Sequence, residues 1–243
     1  SQKNQDKPFF LFLAYNAPHD PIQPPKEWLD KIQQREKGAS LKRQKMIALI
    51  EHLDFNVGRV LKELKNNNLD DNTIVVFTSD NGGALQYEAS NFPFTGGKGD
   101  LSEGGIRVPC IVKLPSISHK NIIEEPMILM DFYSTFVKLA GGDLTLELPS
   151  KPINSLFSLP PDKNSRNMIW MRREGNKFGG KAYYAISDGT FKLVQSNPFS
   201  EYKLFNLSID DKEVTPINTS VNELNLWKEL TKHIQNSWKI PWQ

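Results

Sequence analysis

The stretch Thr73-Ile74-Val75-Val76-Phe77 constrains this chain most, because five β-branched or aromatic residues run without alternation and stop at Thr78-Ser79-Asp80-Asn81-Gly82-Gly83. An unbroken apolar run predicts a strand covered on both faces, as in a parallel sheet. The polar residues fall just past its carboxyl end, where open α/β sheets hold ligands. Asp80 and Asn81 offer a carboxylate and an amide oxygen, hard donors that favour calcium or magnesium over zinc. The same residues also suit a plain chain reversal, since Asp, Asn and Gly tolerate positive φ.

A second continuous apolar run, residues 9–15, predicts another strand buried on both faces, and it too ends in polar residues. There Asn16-Ala17-Pro18-His19-Asp20-Pro21 sets His19 between prolines that restrict the loop. Residues 26–34 suit a short helix with Trp28 and Leu29 inward. From 41 to 65, Met46, Ile50, Leu53, Val57, Val60 and Leu64 recur in steps of four and three, one face of a long helix. Strand, helix and strand make a βαβ unit with parallel strands, which would bring His19 and Asp80 to one sheet edge.

Composition narrows the partners. With 30 basic against 28 acidic residues the net charge is +2, so no global field favours nucleic acid. No apolar run is long enough for a membrane span, and the polar first residues do not read as a signal peptide. Cys110 is the single cysteine, which excludes an intrachain disulfide. A core-type strand by Phe9, with almost nothing before it, suggests a fragment.

Residues 84–105 form a glycine-rich loop around Lys98, where small neighbours let the backbone approach a ligand beside an ammonium group. Residues 108–114 read as a strand holding Cys110 as a small buried hydrophobe. Asp131 is placed to cap a helix that runs to Ala140 and stops at Gly141. The proline-rich segment 149–161 suggests a junction, giving domains 1–160 and 161–243. Beyond it come short alternating segments at 168–172, 181–187, 190–195 and 202–207, with Asp188-Gly189 as a hairpin turn. A final helix over 220–238 carries Leu224, Trp227, Leu230, Ile234 and Trp238 on one side. The expected fold is α/β: part of a largely parallel or mixed sheet sandwiched by helices, plus a small C-terminal antiparallel sheet covered by one helix. Tyr183, Trp227 and Trp238 are assigned to its core.

Taken together, Ala17-Pro18-His19-Asp20-Pro21, Leu53-Asp54-Phe55-Asn56-Val57-Gly58, Thr78-Ser79-Asp80-Asn81-Gly82, Gly97-Lys98-Gly99 and Glu103-Gly104-Gly105-Ile106-Arg107-Val108-Pro109 resemble the type I sulfatases of the alkaline phosphatase superfamily. Gly189-Thr190-Phe191-Lys192-Leu193 and Leu204-Phe205-Asn206-Leu207 extend the resemblance over nearly the whole chain. It implies sulfate-ester hydrolysis, with calcium on the sulfate and a formylglycine nucleophile. By this resemblance Asp80 and Asn81 match metal ligands, His19 and Lys98 match residues that bind sulfate and assist the departing alkoxide, and Glu103 and Arg107 match supporting positions. The resemblance also implies an N-terminal half with two further metal aspartates and a Cys/Ser-x-Pro-x-Arg nucleophile motif. Neither is in this sequence, and Cys110 lacks the required Pro and Arg, so the calcium site is incomplete and no nucleophile is assigned. The expected partners are a sulfated small molecule or glycan and the missing N-terminal half. The complete protein is expected in a periplasmic or secreted location. Two alternatives stay open: an inactive module binding sulfated glycans through His19, Lys98 and Arg107, and a phosphodiesterase or phosphonate hydrolase relative. Trp28, Tyr87, Trp170, Arg172, Arg173 and Glu174 are candidates for the pocket rim.

Overall fold

The four-three spacing after Leu41 yields the helix it predicts. In the computed structural model, which describes residues 7–115, 122–124, 126–144, 150–153, 156, 166–173, 177–220 and 224–237, helix α1 spans Lys26–Arg35 and helix α2 spans Leu41–Asn66. Ser40 starts α2 by accepting the Arg43 amide at 3.1 Å, which satisfies one of the first-turn donors. Ile32 of α1 is fully buried, and Trp28 packs tilted against His52 and Phe55 of α2 with centroids 5.5 Å apart in each case. Arg35 ties the helices together through Glu51 at 2.6 Å. The inward face of α2 is Gln44, Met46, Ala48 and Leu49, whereas Ile50, expected inside, is exposed. These helices belong to a first compact unit, Ser1–Thr73 with Gln86–Ala89; the second unit is Ile74–Leu85 with Ser90–Gln243.

Residues 9–15 correct the sequence expectation: they form no strand, and Phe10 and Phe12 are 76% and 79% exposed. Apolar composition favours burial, but a strand exists only where another takes its N–H and C=O groups. Among its described residues, the first unit supplies helices and loops alone.

In the second unit, strand β1 (Val75–Thr78) pairs antiparallel with β2 (Cys110–Lys113), Val76 opposite Val112 and Phe77 opposite Ile111. The expected parallel partner is therefore replaced by a strand that follows in sequence. Among the described residues, the ladder is covered on one face. Val76 and Val112 pack with Ile74, Leu114, Phe132 and Ile153, while Phe77 and Ile111 face outward. Cys110, expected in the core, is exposed. Helix α3 is the single turn Glu103–Ile106, and α4 spans Asp131–Leu139. Asp131 is the first residue of α4 rather than its cap. Its buried carboxylate accepts the Ile128 and Lys151 amides at 2.9 and 3.0 Å and pairs with Arg166, so it pins the flanking segments to the helix.

The C-terminal pattern folds as read. Strands β3 (Met168–Arg173), β4 (Ala182–Ser187), β5 (Phe191–Val194) and β6 (Lys203–Asn206) form an antiparallel meander in chain order, with helix α5 over Asn225–Ser237. Gly189, at φ +95°, makes the turn between β4 and β5, a conformation that favours glycine. One face of this sheet, with Tyr184, Ile186, Leu193 and Leu204, packs on Leu226 and Leu230 of α5. The opposite face, with Tyr183, Ala185, Val194 and Phe205, packs on Leu101 and Ile106. Trp227 lies beside the α5 core as expected, whereas Trp238, Glu174 and most of the 149–161 junction lie outside the described residues.

Candidate active site

Glycine determines how the site loops can approach each other. Beyond β1, Gly82 N donates to Gly105 O at 2.9 Å, and Lys98 N donates to Gly83 O at 3.0 Å. Gly104 N donates to Thr95 O at 2.8 Å. These backbones lie so close that a Cβ at Gly82 would stand 1.9 Å from Gly104 O, and one at Gly105 would stand 2.2 Å from Asp100 O. Asn91 completes the stitching: its Oδ1 accepts Gly83 N at 2.7 Å, and its Nδ2 donates to Gly83 O and Gly96 O at 2.9 and 3.0 Å. The segment after Asp80 and Asn81 is thus fastened directly to the segment that carries Lys98.

Asp80 is exposed at the end of this turn and Asn81 is half-buried. Asn81 Nδ2 donates to Gly82 O at 2.8 Å, which leaves the amide oxygen as the side chain's acceptor. Two hard oxygen donors fit part of the shell of a calcium-like cation. Among the described residues no group of three His, Cys, Asp or Glu could hold a metal. Cys110, opposite Thr78 in the ladder, has its thiol pushed up by burial of the sulfur's surroundings, contrary to what an activated thiolate needs.

Lys98 is exposed, and the backbone on either side of it is held. Tyr183 of β4 donates its hydroxyl to Gly99 O at 3.0 Å, and Gly99 lies against Arg172 of β3, so close that a Cβ there would stand 1.8 Å from the guanidinium. Arg172 is opposite Tyr183 in the ladder, which puts both on the sheet face toward the loop. Of the proposed rim residues, Arg172 therefore reaches the Lys98 loop.

Glu103 and Arg107 pair at 3.5 Å, and Arg107 also lies over the Phe94 ring with 4.7 Å to its centroid. The stronger partner of Glu103 was not foreseen. Lys192 of β5, fully buried, reaches Glu103 Oε1 at 2.8 Å and Glu213 Oε1 at 2.9 Å. The latter is an ion-pair distance without hydrogen-bond alignment. Glu213 Oε2 accepts Glu103 N at 2.6 Å. Burial pushes the Glu213 carboxyl up, and the Lys192 charge draws it partly back. One cation between two carboxylates thus locks the first turn of α3, five residues past Lys98, to the C-terminal sheet. A lysine flanked by Phe191 and Leu193 inside a strand pattern was the available signal; Glu213, next to Asp210, Asp211 and Lys212, reads as surface.

His19 stands in the first unit. Its Nδ1 lies 2.9 Å from Asp20 O and 3.1 Å from Asp20 Oδ1, and a neutral ring that donates from Nδ1 carries its lone pair on Nε2. Asp20 also accepts the Tyr87 hydroxyl, a bond that raises the phenol above its usual range. Five of the six expected side chains (Asp80, Asn81, Lys98, Glu103 and Arg107) therefore share one stitched set of loops, and His19 is positioned by its own.

The Sulfatase family model matches residues 1–142. A sulfatase of Formosa agariphila is 30% identical over 97% of this chain and 47% of its own length. The N-acetylgalactosamine-6-sulfatase of Rattus norvegicus is 30% identical over 96% of this chain and 43% of its own length. The crystal structure of Ps i-CgsB in complex with k-i-k-neocarrahexaose superposes with a TM-score of 0.80 at 30% identity, covering 97% of this chain and 51% of that one. The chain belongs to the sulfatase family, type I within the alkaline phosphatase superfamily. It spans about half the length of the curated relatives it matches.

Proposed function

We propose that the protein carrying these residues hydrolyses the sulfate ester of a carbohydrate. The observation that carries the reading is the bond from Lys98 N to Gly83 O, which fixes the backbone at Lys98 to the turn that follows Asp80 and Asn81. Two of the relatives support the substrate class, one named for an N-acetylgalactosamine sulfate and one crystallised with a neocarrahexaose. In this reading Lys98 places positive charge where the ester oxygens gain negative charge, worth most when the cation is held in advance. The bonds to Gly83 O and from Tyr183 hold the backbone that carries it. His19, whose Nδ1 faces Asp20, would in its protonated form give the Nε2 proton to the departing alkoxide. Glu103 and Arg107 support the Lys98 loop. Asp80 and Asn81 would contribute to a calcium shell completed by an N-terminal half, and that half would bear the formylglycine. When bound, those two groups supply charge neutralisation and the nucleophile.

The test is turnover of a sulfated saccharide and of the matched phosphate ester by the native protein. The sulfated saccharide should be the better substrate. Lys98→Ala and His19→Ala should each lower kcat by about 100-fold or more, in line with loss of an electrostatic or acid group. Asp80→Asn should raise the calcium requirement. A phosphate ester turned over faster than the sulfate, or full activity without Lys98, would overturn the reading.

A further inference from the structure

The sheet that holds the Lys98 loop continues outward into a chain of aromatic rings overlaid by ammonium groups. Tyr183, bonded to Gly99 O, meets Phe178 edge-on with centroids 6.0 Å apart. Phe178 in turn meets Phe199 edge-on at 6.4 Å. Lys177 Nζ lies 5.0 Å from the Phe178 centroid, and Lys181 Nζ lies 4.8 Å from that of Phe199. Phe199 is 68% exposed, so its ring fills no core. Beside it, Arg173 Nε bonds Gly180 O at 2.7 Å and fixes the turn between the two lysines. The face of each ring away from its ammonium accepts the C–H face of a sugar, and the ammonium over the ring meets a sulfate or carboxylate with no carboxylate partner to leave among the described residues.

We propose that Phe178, Phe199, Lys177 and Lys181 form a remote subsite for an anionic oligosaccharide, binding a second charged sugar unit of the chain whose ester lies at Lys98. The inference rests on the carbohydrate-sulfate reading and deepens it. The protein then prefers a polyanionic oligosaccharide to a single sulfated sugar, because only the longer ligand spans from the Lys98 loop to Phe199.

The test measures binding of a sulfated galactan hexasaccharide and of a galactose monosulfate to the native protein by calorimetry. Phe199→Ala and Lys181→Gln should each lower the preference for the hexasaccharide by about fivefold, the scale of one exposed ring or charge contact. Lys228→Gln, on exposed α5, should leave that preference unchanged. An unaltered preference in both shelf variants overturns the subsite, as does an equal loss in Lys228→Gln, which would mark diffuse attraction. Lys98→Ala reports separately: if monosulfate binding survives it while the shelf variants still lose the hexasaccharide, the subsite stands and the sulfatase reading fails.

Discussion

Residues 9–15 and strand β4 are apolar runs of similar length with opposite fates. In β4, Tyr183, Tyr184, Ala185, Ile186 and Ser187 are all less than a tenth exposed, while Phe10 and Phe12 lie more than three-quarters in solvent. β4 has β3 and β5 as ladder partners, α5 against one face and the Leu101 segment against the other. Residues 9–15 have helices in their unit and no ladder. Hydrophobic sequence supplies the tendency to be buried, and neighbouring elements decide whether it is met.

The largest effect should come from breaking the charged lock behind β4 and β5. Lys192→Met leaves Glu103 and Glu213 facing each other without the buried cation, and should cost about 3–5 kcal/mol in urea unfolding. A loss below about 1 kcal/mol would mean that the two carboxylates share a proton or reach water instead. Gly82→Ala drives a methyl group into Gly104 O and should cost about 1–3 kcal/mol, with loosening around Lys98 visible in hydrogen exchange. Tyr183→Phe keeps the ring in the core but drops the bond to Gly99 O, for about 1 kcal/mol.

The uncovered run should respond in the opposite sense. Residues 1–243 expressed alone should self-associate, and Phe10→Ser with Phe12→Ser should reduce that association in sedimentation while shifting the melting free energy by less than about 0.5 kcal/mol. A monodisperse parent chain would contradict the comparison. The smallest effect concerns Asp210, whose carboxyl is held below the usual aspartate range by the Thr215 and Val214 amides. Because its folded pKa is depressed, its contribution is present above the unfolded value and lost as pH falls through the folded one. Asp210→Asn should therefore lower stability slightly at neutral pH, leave it little changed below the folded pKa, and so flatten the acid limb of a stability-pH curve.

Local pattern made the helices and the C-terminal meander legible, and it singled out Asp80, Asn81, Lys98, Glu103 and Arg107, which the structure carries on loops bonded to one another. The steps of four and three gave α2, alternation with Asp188-Gly189 gave β4 and β5, and the glycines around Lys98 marked a close-packed loop. The pattern could not give the partner of β1, since an apolar run reads alike in parallel and antiparallel pairing. Nor could it show that Phe77 and Ile111 face outward from that ladder, or that Cys110 is exposed.

What the sequence determined by itself is therefore periodicity, turn chemistry and the residue types of the site, all properties of neighbours along the chain. Tertiary structure alone decided the Lys192, Glu103 and Glu213 lock, whose members lie 89 and 110 residues apart, and the seating of Gly99 against Arg172 and Tyr183. The physical reason is that a buried charge persists only where distant carboxylates arrive to meet it, and no local stretch of sequence records that meeting.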